Sequence, residues 1–122
     1  MRLLIFVSAI LIGLSQQSTA QTSIGYADQS CGFWTKERSK RTSFDKIGMQ
    51  SWATGYLSGA NALSKASLPA ASNFDFLKGT GGDAVWAWLD NYCKQKPLEK
   101  FPAAVSKLLT ELHGRATRLQ GR

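Results

Sequence analysis

The sequence predicts a small all-α fold: a bundle of three main helices and a short N-terminal helix, joined by one disulfide. Apolar residues recur at helical spacing over three long segments, and no segment alternates apolar and polar residues as a strand does. The two cysteines, Cys31 and Cys93, provide one disulfide at most. A chain of 122 residues has room for a single modest core.

The N-terminal segment 1–20 has the organisation of a secretion signal. Arg2 precedes an apolar run over 3–14, and Ser18-Thr19-Ala20 offers the small side chains that signal peptidase requires. We expect cleavage after Ala20, export, and no transmembrane segment in the mature chain. An uncleaved anchor is the alternative, although the apolar run is short for spanning a bilayer.

The two cysteines are expected to form a disulfide, because an even pair in an exported protein is typical of one. A metal pair or a catalytic thiol is the competing interpretation. A metal site needs further soft ligands, and His113 is the only histidine.

The segment 82–93 predicts the central helix of the bundle. Glycines precede it and Pro97 follows it, so both ends are marked. Its bulky residues fill an arc of about 160° on a helical wheel, which is too wide for a single partner helix to cover. We therefore expect it to pack between at least two other helices. The arc contains Val85, Trp86, Trp88, Leu89, Tyr92 and Cys93.

Serines mark the starts of two further helices. Ser30 is the predicted N-cap of a short helix from Cys31 to about Ser39, and Ser43 that of a long helix to about Ser64. Residues 21–30 are expected to be a flexible lead-in to the first of them. The basic run 36–41 is expected to be a solvated face, with an anionic partner as the alternative.

The last helix is predicted to begin between Pro97 and Pro102. Its stripe consists of Phe101, Val105, Leu108, Leu109 and Leu112. The helical domain is predicted to span 31–113, followed by a basic tail over 114–122 that frays from Arg115. In the long connection before the central helix, Phe74 and Phe76 are expected to cover the edge of the core.

The long second helix carries the candidate binding groove. Bulky residues (Met49, Trp52, Tyr56 and Leu63) lie beside a strip with almost no side chain, which includes Gly48, Gly55 and Gly59. Glycine inside a helix costs about 1 kcal/mol relative to alanine, so such a strip indicates close approach by another group. We expect the ring of Trp86 or Trp88 to fill it, with a bound ligand as the alternative.

Catalytic patterns are missing from the sequence, and we expect neither an enzyme nor a cofactor. One histidine, His113, near a chain end suits no buried triad. Asp83 and Asp90 lie two turns apart on the polar arc and make a weak carboxylate pair. The turn 79–83 lacks the Lys-Ser/Thr ending of a phosphate loop, and its aspartate would repel phosphate. The net charge of +7 falls to +6 without Arg2 and favours acidic partners.

The order of these features resembles two families of small exported proteins. Ser30-Cys31, the helix with Gly55-Tyr56-Leu57-Ser58-Gly59-Ala60, and Cys93 with a proline four residues on resemble the HdeA/HdeB acid-stress chaperones. They also resemble the Rap1a/Tai immunity proteins, which neutralise cell-wall hydrolases. The segment Trp88–Cys93 is similar to one in uncharacterised exported proteins of alphaproteobacteria.

The resemblance implies a periplasmic, non-enzymatic domain that binds other proteins. In the chaperone family, acid breaks a homodimer and exposes apolar surface to unfolding clients. The basic charge and the long interval between the cysteines depart from that family. The alternative function is that of an immunity protein bound to a toxin. Both families imply the Cys31–Cys93 disulfide, and neither implies a catalytic residue or nucleic-acid binding.

Overall fold

The structure is a computed structural model that describes residues 24–70 and 72–121. A 3-10 helix over Tyr26–Asp28 precedes four α-helices: α1 over Cys31–Arg38, α2 over Phe44–Ala66, α3 over Gly82–Gln95 and α4 over Phe101–Gln120. No strand occurs in these two ranges, where a single bridge pairs Ser30 with Lys100. The predicted all-α fold is confirmed. The predicted signal segment 1–20 lies outside the described residues.

Helix α1 begins at the predicted cap. The Ser30 hydroxyl oxygen accepts a hydrogen bond from the backbone N–H of Phe33, which satisfies one of the unpaired donors of the first turn. The first two N–H groups of the helix bond to the loop before α4: Cys31 N–H donates to the Glu99 carbonyl and Gly32 N–H to the Pro97 carbonyl, both at 2.8 Å. The start of this short helix is therefore held by backbone from the other end of the chain.

The predicted disulfide is present. Cys31 at the start of α1 and Cys93 near the end of α3 are joined across 62 residues, and both are fully buried. Trp34, one turn along α1 from Cys31, is also fully buried and stacks on Phe101 with 5.1 Å between ring centroids. Covalent and aromatic contacts together fix α1 against α3 and α4.

Helix α2 is capped as predicted, since the Ser43 hydroxyl accepts from the Lys46 N–H. Its buried face differs from the predicted stripe. Met49, Ala53 and Leu57, one turn apart from each other, are buried, whereas Leu63 is 70% exposed. Of the predicted bulky stripe, Met49 is buried and Trp52 and Tyr56 are partly buried against the core. The stripe therefore identified part of the inner face and missed Ala53 and Leu57.

Helix α4, and not α3, occupies the centre of the fold. It contacts α1, α2, α3 and the 3-10 helix, whereas α3 packs chiefly against α1 and α4. The prediction that α3 lies between two other helices is confirmed, but its central position is wrong. The inward residues of α4 are Phe101, Ala104, Val105, Leu108 and Leu112.

The connection between α2 and α3 closes one end of the core. Phe74 and Phe76 are 2% and 4% exposed, as predicted. The His113 ring lies against both, at centroid distances of 5.1 and 6.0 Å. Helix α4 continues through Gly114 to Gln120, so the expected fraying from Arg115 is not seen. Ala116 lies partly buried against the core on this continuation.

Reduction of the Cys31–Cys93 bond should lower the free energy of unfolding by up to about 4 kcal/mol, because an open chain gains the loop entropy that the cross-link removes. Urea titrations with and without dithiothreitol measure the difference. A double Cys→Ala variant that unfolds at the same urea concentration as the oxidised protein would contradict this role.

Candidate functional site

The predicted glycine groove is not a continuous site. The Tyr26 ring covers Gly48, where a Cβ atom would overlap it. Gly55 and Gly59 have no atom within 4 Å of the position that a Cβ would take, so this part of the strip is open. The filling ring thus comes from the segment before α1, and not from Trp86 or Trp88.

Trp52 and Tyr56 contact each other beside the strip. Their rings stack at 5.4 Å, and the Trp52 Nε1–H donates to the Ile24 carbonyl at 2.7 Å. Gly25, with φ of +80°, lets the chain turn over the Trp52 ring. Trp52, stacked on Tyr56, therefore holds the N-terminal segment against α2.

The two tryptophans of α3 lie on other contacts. Trp86 approaches Trp34 of α1 at 6.1 Å. Trp88 stacks on Tyr92 at 4.8 Å, and its Nε1–H donates to Glu111 of α4 at 3.1 Å. The expectation that one of them fills the groove is wrong, because the wide arc of α3 faces α1 and α4 rather than α2.

Carboxylates form the most consistent pattern in the structure. Within residues 24–70 and 72–121, every hydrogen bond between two side chains has a carboxylate oxygen as its acceptor. We call these bonds the carboxylate links, and six of the eight acidic residues make them: Glu37, Asp45, Asp75, Asp90, Glu99 and Glu111.

Glu37 makes the most buried link. Its side chain is 2% exposed although it lies in the basic run, and it joins the end of α1 to the cap of α2. Lys40 Nζ donates to Oε1 at 2.6 Å, and the Ser43 hydroxyl donates to Oε2. The hydrogen bond from Lys40, followed by that from Ser43, lowers the pKa of Glu37 against the opposing effect of burial.

Asp90 links α3 to α1. Its Oδ1 accepts from the Trp34 Nε1–H at 2.9 Å, and Arg38 donates through Nε to Oδ1 at 3.0 Å and through Nη2 to Oδ2 at 2.8 Å. The hydrogen bond to Asp90 raises the pKa of Arg38. Asp83 forms no pair with Asp90, since Asp90 is turned to α1.

Two further links attach the ends of α2. The Tyr26 hydroxyl donates to Asp45 at 3.2 Å, and Asn61 Nδ2 donates to Asp75 at 2.8 Å. The Ser43–Glu37 bond is the third such link. All three side chain–side chain hydrogen bonds between α2 or its cap and the rest of the described chain therefore depend on a carboxylate.

Glu37 and Asp90 were not predicted as structural residues. For Glu37 a signal was present: it precedes Lys40 by three residues and lies shortly before the predicted cap Ser43. For Asp90 the signal was its place on α3: it borders the predicted inward arc on the helical wheel and lies three residues before Cys93.

Neither a metal site nor a membrane span is found in the part of the chain described. There, no group of three or more histidine, cysteine, aspartate or glutamate side chains is arranged to hold a metal ion. Each helix in these residues is too short or too polar to cross a bilayer.

Comparison with known proteins gave no relatives. No family model matches the chain, and no match was found among curated proteins or among solved structures.

The glycines of α2 should respond differently to alanine. Gly59→Ala should stabilise the protein by about 1 kcal/mol, because the space is open and alanine favours the helix. Gly48→Ala should destabilise it, because the new methyl group displaces the Tyr26 ring. Urea denaturation of the two variants measures both effects, and equal shifts of the same sign would contradict the packing described.

Replacement of Asp90 should have graded effects. Asp90→Ala leaves Trp34 Nε1 and Arg38 without their acceptor and should cost about 1–3 kcal/mol. Asp90→Asn keeps an acceptor oxygen and should cost less. Thermal unfolding at neutral pH compares these two variants with Asp83→Asn, an exposed control on the same helix. If Asp83→Asn cost as much stability as Asp90→Ala, the link between Asp90 and α1 would be refuted.

Proposed function

We propose that the protein is a periplasmic, non-enzymatic protein-binding domain of the HdeA-like acid-stress chaperone type. One observation carries the proposal: the helices are joined by carboxylate links, and acid neutralises their acceptors. A neutral carboxyl group accepts hydrogen bonds more weakly and no longer attracts Lys40 or Arg38. The domain should therefore loosen in the pH range in which its carboxylates become protonated.

The overall charge supports acid opening. Without the predicted signal the chain carries about +6, and protonation of the eight carboxylates and His113 raises this towards +15. Repulsion between these charges opposes the compact state. The basic composition, which departs from the chaperone family, is therefore compatible with its mechanism.

The links favour α2 as the helix that opens. Its side chain–side chain attachments run through Glu37, Asp45 and Asp75, and Glu37 has a lowered pKa. Two further bonds need no carboxylate: Trp52 donates to the Ile24 carbonyl, and the Phe76 N–H donates to Asn61. In contrast, the disulfide holds α1 to α3 at any pH. Release of α2 would uncover its buried face and the core residues beneath it, which is the kind of surface that binds unfolding clients.

Sedimentation velocity and a client assay test the proposal. The oxidised protein should be a dimer at pH 7 and should dissociate and bind an apolar dye at pH 3. It should also keep an acid-labile enzyme such as malate dehydrogenase soluble at that pH. Failure to suppress the aggregation, or an unchanged species without dye at pH 3, would overturn it.

Glu37→Gln should reduce the pH dependence of stability. Because its pKa is lowered, Glu37 stabilises the fold at pH values above its ordinary pKa of 4.5. This contribution is lost as the pH falls through the pKa of the folded state. The variant should be less stable than the wild type at pH 7, and the difference should shrink towards pH 3. Urea titrations across this range measure it.

Glu111→Gln is the matched control for this prediction. Glu111 is exposed and accepts one bond from Trp88. Its replacement should leave the pH dependence of stability close to that of the wild type. Identical pH profiles for Glu37→Gln and the wild type would show that the buried link does not respond to acid.

A Rap1a/Tai-type immunity protein is the second candidate. The open strip at Gly55 and Gly59 supports it, because a rigid partner can approach the α2 backbone closely there. We expect a hydrolase gene beside this one, and we expect the protein to inhibit that hydrolase. Gly55→Trp should abolish the inhibition. An isolated gene would weigh against this function.

A further inference from the structure

The two most exposed large apolar side chains of the described residues are Phe44 and Leu98. They are 94% and 95% exposed. Ile47, three residues after Phe44 and so on a neighbouring part of α2, is 57% exposed. Phe44 and Ile47 form a small exposed apolar patch at the start of α2, and Leu98 is a second exposed apolar group.

Basic residues surround both projections. Segment 36–46, which contains Phe44, has five basic residues against two acidic ones, and segment 94–100, which contains Leu98, has three against one. Two of the three acidic residues pair within their own segments, Glu37 with Lys40 and Glu99 with Lys96. The two segments thus supply most of the net positive charge of the chain.

Helix α1 lies between the two segments. Gly32 near its start bonds to the Pro97 carbonyl, next to Leu98. Exposed Lys36 lies one turn further along the same side of α1. Beyond the end of α1, Lys46 donates to the Lys40 carbonyl at 2.6 Å, next to Phe44. An eight-residue helix is about 12 Å long, so the two segments lie close together. We call the surface that they form with Lys36 the basic face.

We infer that this basic face binds the surface of an anionic lipid bilayer. Phe44, Ile47 and Leu98 enter the boundary between headgroups and acyl chains, while the lysines lie among the lipid phosphates. The inference does not depend on acid opening, because it uses only the closed structure at neutral pH.

The form of the face favours a bilayer over a protein partner. Its apolar groups project singly between cations, so they fit a fluid surface that deforms around them without requiring a matching cavity. The cations are mostly lysines, which act as point charges without the planar geometry of an arginine–carboxylate pair. The first turn of α2 also has its Lys46 N–H capped by Ser43, which reduces the cost of inserting it among headgroups.

The test is vesicle co-sedimentation of the exported, oxidised protein at pH 7, with its N-terminus verified by mass spectrometry. Vesicles of phosphatidylcholine alone are compared with vesicles that contain about one third phosphatidylglycerol. The protein should bind the anionic vesicles at least about tenfold more tightly, and added salt should weaken the binding.

Paired variants separate this face from general hydrophobicity. The double change Phe44→Ser and Leu98→Ser should reduce binding to anionic vesicles about tenfold or more. Leu63→Ser removes a leucine that is 70% exposed near the other end of α2 and should leave binding unchanged. Circular dichroism confirms that each variant is folded.

Equal binding to both kinds of vesicle, or binding that salt does not weaken, would overturn the inference. So would an equal loss of binding in Leu63→Ser and in the double variant. Failure to bind vesicles, together with binding of an acidic protein through the basic face, would also overturn it.

Discussion

Carboxylate oxygens accept every hydrogen bond between side chains in residues 24–70 and 72–121. A chain with 15 basic and eight acidic residues has few acceptors of this strength, and it places six of the eight between structural elements. Each link needs an ionised carboxylate to keep its full strength. The arrangement of the helices around the core therefore involves six carboxylates, and burial and two hydrogen bonds distinguish Glu37, whose pKa is lowered.

The remaining contacts are much less sensitive to pH. The core around Phe101 of α4 is apolar, and the Cys31–Cys93 disulfide does not titrate. Helices α1 and α3 have the disulfide and the buried Trp34 ring in addition to the link at Asp90. Helix α2 has its apolar face, three carboxylate links and the hydrogen bonds of Trp52 and Asn61 with backbone groups, and the disulfide does not reach it. Acid should consequently act on the helices unequally, with α2 the first to separate.

The features that depend on local chemistry were predictable from the sequence. The caps Ser30 and Ser43 were predictable because capping depends on residue type and position. The disulfide was predictable because an even cysteine pair follows a segment with the pattern of a secretion signal. The ring that covers Gly48 was not predictable. Tyr26 reaches it from before α1, and no pattern within α2 indicates which distant side chain arrives there.

The burial of Glu37 was missed for a similar reason. A charge between Lys36 and Arg38 is typical of a solvated face, and only the position of Ser43 in the folded chain gives it a second partner. The helical wheel of α3 gave the width of its apolar arc but not the identity of its neighbours, so Trp86 and Trp88 were placed against the wrong helix. The central position of α4 likewise arises from packing that no single helix encodes.

Amide hydrogen exchange of the oxidised protein, compared at pH 7 and pH 3 as protection factors, tests the central claim most directly. The account predicts that α2 loses most of its protection at pH 3, while the amides of α1 and α3 near Cys31 and Cys93 retain theirs. A uniform loss across all four helices, or unchanged protection of α2, would contradict the dependence of α2 on its carboxylate links.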